Sequence, residues 1–465
     1  MRDGIVHPPQ AHTPPVTRAG TLRAWVRKTM LGRLFKDASV LTAGNVAASG
    51  LDFVSLAVAA RVLGPAALGV LVLIRAYTTV ISKLLDFQSW QVLIAYGAEA
   101  LERRDRTRFQ QLVKFGLSLD FSAALLGALV GVSCVHWVGR WQGWDPATVR
   151  LATLYSIAIL FTMSGAPKGV LRLFGRFGML AMQGVIAAIV KLAGAGIAGC
   201  SHAGVAEFAV VWLVTDILGG VLLLILGWRV LAQEGHGGAL TVSMRGLTSQ
   251  QPRLWGFVWS TNISGSLKAV TTEVDTLIVG GVLSSAAAGL YKVAKQCTKI
   301  ISELVGSLHQ VIYPELARLW ARSDVERIRR LVMRSGALVG GGALLVWLTV
   351  LAAGRPLLSL AFGQEFVGAY GVLVWYMLAT VVTVAGFALQ PAIVAGGRPD
   401  ISLWVYVITT AVYMPVLFAA LHVAGLVGAG VAFFAYRLMW SLAMAVCQRQ
   451  LLRQRYSLNE ARACA

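Results

Sequence analysis

Long apolar runs along this chain are separated by short, mostly basic gaps. Twelve such runs can be marked, at about 39–61, 68–98, 113–137, 149–171, 177–200, 205–231, 255–281, 287–313, 334–353, 370–394, 401–421 and 426–448. Each approaches or exceeds the roughly 20 residues with which an α-helix crosses hydrocarbon. None shows the period-2 alternation over ten-residue segments that marks a membrane β-strand. Lipid offers no water to backbone amides, so helices are expected. The pattern predicts an all-α polytopic membrane protein with about twelve transmembrane helices.

The second half echoes the first. Val62, Leu63, Ala66, Ala67 and Gly69 match Val282, Leu283, Ala286, Ala287 and Gly289 at a constant offset of 220. Both segments lie between an odd span and the next even one. Asn45 and Asn262 each open the first helix of a half. Pro167 and Pro391 fall in the fourth helix of each half, followed by Gly175-Arg176 and Gly397-Arg398. This implies two six-helix lobes related by a pseudo-twofold axis along the membrane normal, an arrangement in which transporters bind substrate between the halves. The expected organisation is a basic, partly disordered tail over 1–37, an N-lobe over 38–231, a linker over 232–254, a C-lobe over 255–448 and a basic tail over 449–465.

Composition agrees. The 465 residues are 57% hydrophobic and 13% charged, with mean hydropathy +0.69, against roughly 25% charged in ordinary soluble domains. A soluble enzyme is excluded. The net charge of +20 would suggest nucleic acid in a soluble domain. Here the basic residues are spread among the gaps between spans, so no nucleic-acid partner is expected. Of the 41 Lys and Arg, 29 fall in the two tails and the even-numbered gaps, and only Arg61, Arg140, Arg150 and Arg355 in the odd ones. That bias places both termini in the cytoplasm.

The remaining eight basic residues lie within spans: Arg75, Lys83, Lys191, Lys268, Lys292, Lys295, Lys299 and Arg437. Insertion scales put each at about 2.5–3.5 kcal/mol at the centre of a lipid-facing helix. The total, on the order of 20 kcal/mol, exceeds a typical folding stability of roughly 5–15. Most must snorkel, pair or face water. On the eighth helix Lys292, Lys295, Lys299 and Glu303 fall within an arc of about 80° at 100° per residue. Thr42, Asn45, Ser49 and Asp52 form a polar stripe on the first helix, and Thr261, Ser264, Lys268, Thr272 and Asp275 one on the seventh. Arg75, Thr78, Thr79, Ser82, Lys83 and Asp86 lie mostly on one side of the second. Four such stripes predict a hydrated cationic cavity, in which Asn45 and Asn262 join Arg75, Lys83, Lys268, Lys292, Lys295 and Lys299. The bland alternative is that Asp52, Asp86, Asp275 and Glu303 merely pair with these cations and fix packing. With Glu273, the same acids are candidate ion carriers, because intramembrane acids are costly and often functional.

Other chemistry is not expected. Gly194, Gly196 and Gly199 spell a dinucleotide fingerprint, but inside a spanning helix, where small residues serve close packing. Five scattered cysteines and seven histidines show no metal spacing. No catalytic set, cofactor or metal is predicted. A cationic cavity favours an anion, and phosphate oxygens suit guanidinium and ammonium groups. No nucleotide loop is present, so the phosphate belongs to the cargo.

Several short strings carry a family resemblance. Ala60-Arg61-Val62-Leu63-Gly64-Pro65 with Gly69 resembles the "ARxLGPxxxG" signature of polysaccharide (Wzx-type) flippases. Asp275-Thr276-Leu277-Ile278-Val279-Gly280 with Gly289-Leu290-Tyr291, Ile312-Tyr313-Pro314-Glu315-Leu316-Ala317, and Gly396-Gly397-Arg398 are similar to further family segments. Ala66-Ala67 stand where the family usually has an acid shortly after Gly-Pro. The resemblance implies the multidrug/oligosaccharidyl-lipid/polysaccharide exporter superfamily, alternating access and a bacterial inner membrane. The implied cargo is a polyprenyl-pyrophosphate-linked oligosaccharide moved to the outer leaflet for surface polysaccharide (O-antigen, capsule or exopolysaccharide) synthesis. Membrane lipid, and polysaccharide polymerase and chain-length proteins, are the implied partners.

Two other functions compete. A cation-coupled drug exporter would want a net acidic cavity. A membrane glycan polymerase or ligase would want a large outward loop. The offset of 220 also carries Arg75 onto Lys295, so these two could share one pyrophosphate, unless Arg75 pairs with Asp52 or Asp86. The charge bias has a direct check: reporter fusions after Ala232 and Arg322 should read cytoplasmic, and those near Trp144 and Gln364 extracytoplasmic. A fusion at Arg322 that reads outside would overturn the orientation.

Overall fold

The computed structural model describes residues 18–464, apart from 163, 202, 248–250, 252, 253 and 323. One helical run, Arg18–Leu84, is broken at Gly64 into α1 (18–63) and α2 (65–84). Gly64 has φ +71°, a backbone conformation that favours glycine, and Pro65 opens the next helix where its missing N–H costs nothing. There follow α3 (Arg106–Gln142), α4 (Pro146–Ala158 and Gly165–Leu173), α5 (Phe177–Cys200) and α6 (Val205–Gln233). The second set is α7 (Leu254–Ala269, then Val270–Val274 as a π-turn, then Asp275–Val282), α8 (Ser285–Ala321), α9 (Val325–Phe362) and α10 (Tyr370–Ala385 and Leu389–Ala395). The run Pro399–Cys464 divides at Gly425 (φ +56°) into α11 (399–424) and α12 (426–464). Side-chain N-caps start several helices: Asp105, Asp145, Ser284 and Asp324 accept from the amides of Arg108, Thr148, Ala287 and Arg327.

Eight stretches among the described residues are long and apolar enough to cross a membrane; α1 with α2, and α11 with α12, share one each. The two spans outside those stretches, α7 and α8, are the pair that carry Glu273, Asp275, Lys292, Lys295 and Lys299. The protein is an all-α, twelve-span membrane protein of two six-helix lobes.

The matched glycines meet. A Cβ on Gly69 would overlap the carbonyl of Ser285, and one on Gly289 the carbonyl of Pro65. Each such Cβ would also stand 3.1–3.2 Å from the other glycine's nitrogen. The pseudo-twofold axis therefore passes between Gly69 and Gly289, at the end of the bundle that carries the α1–α2 and α7–α8 turns (the turn end). Three other inter-lobe links lie at this end. Arg61 donates to the backbone carbonyls of Leu360 and Ala361. Gln142 Nε2 donates to the Leu277 carbonyl at 2.9 Å. Phe53 packs edge-on against Phe362 at 5.2 Å.

The apolar cores follow the same plan. The largest runs through both lobes at the turn end, from Leu68 and Tyr77 to Tyr291, Phe362 and Phe433. Toward the tail end it divides into a core around Phe109, Leu171 and Leu254 and others around Leu316, Ile328, Ile393 and Met444. The lobes share one core at the turn end and have separate cores at the other, except for the first half of α7, which packs into the N-lobe core. The first half of α7 packs with the N-lobe helices: Trp255, Phe257 and Trp259 stack edge-on with Phe115, Tyr96 and Phe87.

Three spans read as continuous from hydropathy are interrupted. The second breaks at 85–88, where Asp86 accepts from the amide of Gln88, itself left-handed at φ 51°; short helical pieces resume over Ser89–Glu102. The fourth and tenth break at equivalent places. Pro167 and Pro391 each stand third in the half-helix after the break, in a first turn that tolerates proline. Both half-helices end in the same motif: Gly175 and Gly397 take φ +66° and +81°, and the amides of Arg176 and Arg398 reach back to the carbonyls of Leu171 and Ile393.

Candidate functional site

Two contiguous cavities occupy the middle of the bundle. One, of about 530 Å³, lies within the N-lobe. The other, of about 410 Å³, lies between the lobes. They share Asp52, Arg75, Thr79 and Lys191. The N-lobe cavity is lined by four basic side chains (Arg75, Lys83, Lys168, Lys191) and four acidic ones (Asp52, Asp86, Asp120, Asp216). The inter-lobe cavity is lined by six basic side chains (Arg75, Lys191, Lys292, Lys295, Lys299, Arg437) and two acidic ones (Asp52, Glu273). Helical spacing accounts for the three lysines of α8: they lie on one stripe, and that stripe faces the cavity.

The charges are wired by lobe. Arg75 on α2 pairs with Asp216 on α6 at 2.8 Å and lies over the Trp212 ring. Its partner is therefore neither Asp52 nor Asp86. Lys295 on α8 pairs with Asp275 on α7 at 2.9 Å. Asp275 is fully buried and also accepts from the Tyr291 hydroxyl and the Thr276 amide, at 2.7 Å each. Lys295 further reaches Thr276 Oγ1 and the Thr272 carbonyl. Asp52 on α1 holds Lys191 of its own lobe at 3.1 Å and Lys299 of the other at 3.2 Å. It is the ionic bridge across the cavity between the lobes. Pairing and cavity lining thus coexist in the same side chains.

Arg75, Lys83, Lys292, Lys295 and Lys299 all line a cavity, as do Asp52, Asp86 and Glu273. Four expected members do not: Asn45, Asn262, Asp275 and Glu303. Asn45 is exposed and lines neither cavity. Asn262 is buried and donates to the carbonyls of Leu84 and Asp86 at 3.3 and 3.1 Å. The break in α2 leaves those carbonyls without helical partners, and Asn262 satisfies them. Lys83 lies beside Asp86 at 3.7 Å. Glu303 lines neither cavity, and the side chain of Lys268 lies outside the described residues.

Six residues were missed as site members: Asp120, Lys168, Lys191, Trp212, Asp216 and Arg437. Asp120 is buried and accepts from the Ser89 hydroxyl and, at 2.7 Å, from the Ala166 amide, tying together the resumed pieces of α2 and α4. Asp120 and Asp216 are acids inside apolar spans, a signal the sequence carries on helices other than the first two of each half.

A two-lobed bundle of twelve helices around a charged central cavity is the fold of the multidrug/oligosaccharidyl-lipid/polysaccharide (MOP) transporters. Solved structures agree. An inward-facing multidrug-resistance MATE family transporter of the MOP superfamily superposes with TM-score 0.66 at 14% identity, over 91% of this chain and 96% of that one. A MOP superfamily transporter from Pyrococcus furiosus, described as having a binding pocket of reverse polarity, gives 0.63 at 13%, over 91% and 96%. A point mutant of the Vibrio cholerae MATE transporter VcmN gives 0.61 at 17%, over 92% and 98%. At these identities the likeness is one of fold.

Sequence narrows the class. Residues 34–320 match the family described as "Polysaccharide biosynthesis protein", and the chain belongs to that family. It is 31% identical over 352 residues to inner membrane protein YghQ of Escherichia coli (strain K12), covering 76% of this chain and 99% of that protein.

The Asp275–Lys295 pair gives a stability prediction. Asp275→Ala leaves Lys295, only 14% exposed, without its carboxylate. The expected cost is about 3–5 kcal/mol, because one partner of a buried pair is stranded. In detergent this should read as a large fall in the thermal midpoint, mostly recovered by the double change Asp275→Leu with Lys295→Met. A single variant with an unmoved midpoint would refute the pair's structural role.

Proposed function

We propose that this protein is a flippase that moves a polyprenyl-pyrophosphate-linked oligosaccharide across the membrane for surface polysaccharide synthesis. The observation that carries the reading is the inter-lobe cavity, where six basic side chains outnumber two acidic ones. A diphosphate is the part of such a cargo that this charge would recognise. Membership of the polysaccharide biosynthesis protein family supports the same reading. With the tails in the cytoplasm, the joined turn end faces outward. The N-lobe cavity, contiguous with the inter-lobe one and reaching Lys83, Asp86 and Lys168 toward the tail end, then lies on the side where cargo is loaded. Asp52 is the best-placed ion carrier, because protonating it would release Lys299 and so the bridge between the lobes. Export of organic cations is the second reading, suggested by the multidrug transporters that share the fold. The cavity's net positive lining opposes it.

The test is reconstitution in vesicles with a fluorescent polyprenyl-pyrophosphate oligosaccharide, scoring probe accessible to a membrane-impermeant quencher. The protein should raise the accessible fraction above that in protein-free vesicles, and charge reversal in the inter-lobe cavity should abolish the gain. Uptake of a cationic dye with no movement of the diphosphate lipid would instead establish the exporter.

A further inference from the structure

The six cations of the inter-lobe cavity are not equivalent. Arg75 is held by Asp216, Lys295 by Asp275, and Lys191 and Lys299 share Asp52. An anion entering the cavity must compete with those carboxylates. Lys292 on α8 and Arg437 on α12 form no ion pair among the described residues, and neither does Glu273, the remaining acid of the lining.

Arg437 is positioned but unsatisfied. Its guanidinium lies over the rings of Phe433 and Tyr436, at 5.0 and 5.2 Å from their centroids. Its Nε is buried with no hydrogen-bond partner. These cation–π contacts hold the guanidinium beside the cavity, and its donors make no hydrogen bond among the described residues, which leaves them for contact with phosphate oxygens. A buried donor without a partner carries a desolvation cost that an anionic ligand would relieve.

We propose that the C-lobe wall formed by Lys292 and Arg437 is the diphosphate-binding subsite of the cavity, and that Arg75 and Lys295, despite their symmetry, are held by their own carboxylates and set the shape around it. The proposal rests on the anionic-cargo reading and deepens it. The repeat does not reveal this subsite, because the offset of 220 carries Lys292 back onto Val72, a buried apolar residue. The recognition surface is asymmetric within a symmetric fold.

Binding of inorganic pyrophosphate to the full-length protein in detergent at low salt separates the cases. Lys292→Gln and Arg437→Gln should each weaken binding by about tenfold or more, the scale of one charge-assisted bond. The charge-neutral double change Arg75→Gln with Asp216→Asn should weaken binding clearly less than either glutamine variant, since it removes a cation and an acid together. Lys292→Arg should bind nearly as wild type. Arg437→Lys, which keeps the charge and loses the fork, should fall between, so the proposal stays readable if a glutamine variant fails to fold. Wild-type affinity in both glutamine variants would overturn the assignment, as would a loss in the Arg75/Asp216 double change equal to theirs; either leaves the anionic-cargo reading intact. Absence of pyrophosphate binding by the wild type would overturn both.

Discussion

Charge inside hydrocarbon must be compensated, and this molecule is arranged around how that is done. Three carboxylates, Asp52, Asp216 and Asp275, hold four of the cations that line the inter-lobe cavity. Two of these carboxylates pair only within their own lobe. The third, Asp52, also crosses between lobes, to Lys299. The interior thus has rigid charge pairs that belong to each lobe and one bridge whose two sides must separate if the lobes move apart. Such a bridge contributes little net stability when its desolvation is counted. It suits a contact that must be made and broken.

The second constraint is steric. Where Gly69 and Gly289 meet, the backbones of α2 and α8 approach too closely for any Cβ. The apolar core is continuous across that seam and divides away from it. Close packing without side chains suits a reversible interface, because few interdigitated groups need to disengage. Arg61 and Gln142 add hydrogen bonds to backbone carbonyls of the other lobe at the same end. The family-like string Ala60-Arg61-Val62-Leu63-Gly64-Pro65 with Gly69 therefore supplies a turn, a helix start, an inter-lobe donor and a seam glycine within ten residues.

The twelve spans were legible because span length and basic gaps are physical requirements of the bilayer, and the repeat because turns constrain residue type. Pro167 and Pro391, and Gly175 and Gly397, fall at matching turns and helix starts. The breaks in α2, α4 and α10 were not legible from hydropathy, since the half-helices on either side are equally apolar. The site was legible where a stripe on one helix implied a cavity, as with Lys292, Lys295 and Lys299. It was not where tertiary pairing decides: nothing in sequence links Arg75 to Asp216, 141 residues away, or shows that Asn262 would be consumed by the carbonyls at the break in α2.

If the protein works by the proposed alternating access, the glycine seam that seals one end of the bundle must open in turn as the ionic bridge across the cavity parts. Spin labels on cysteines introduced at Ala66 and Ala286, matched residues flanking the seam, would report this by pulsed electron–electron distance measurement in lipid nanodiscs. Alternating access predicts a short distance matching the sealed seam and a second, longer population that grows when Asp52→Asn removes the charge of the bridge. A single short distance in the wild type and in the Asp52 variant, with pyrophosphate present or absent, would contradict it.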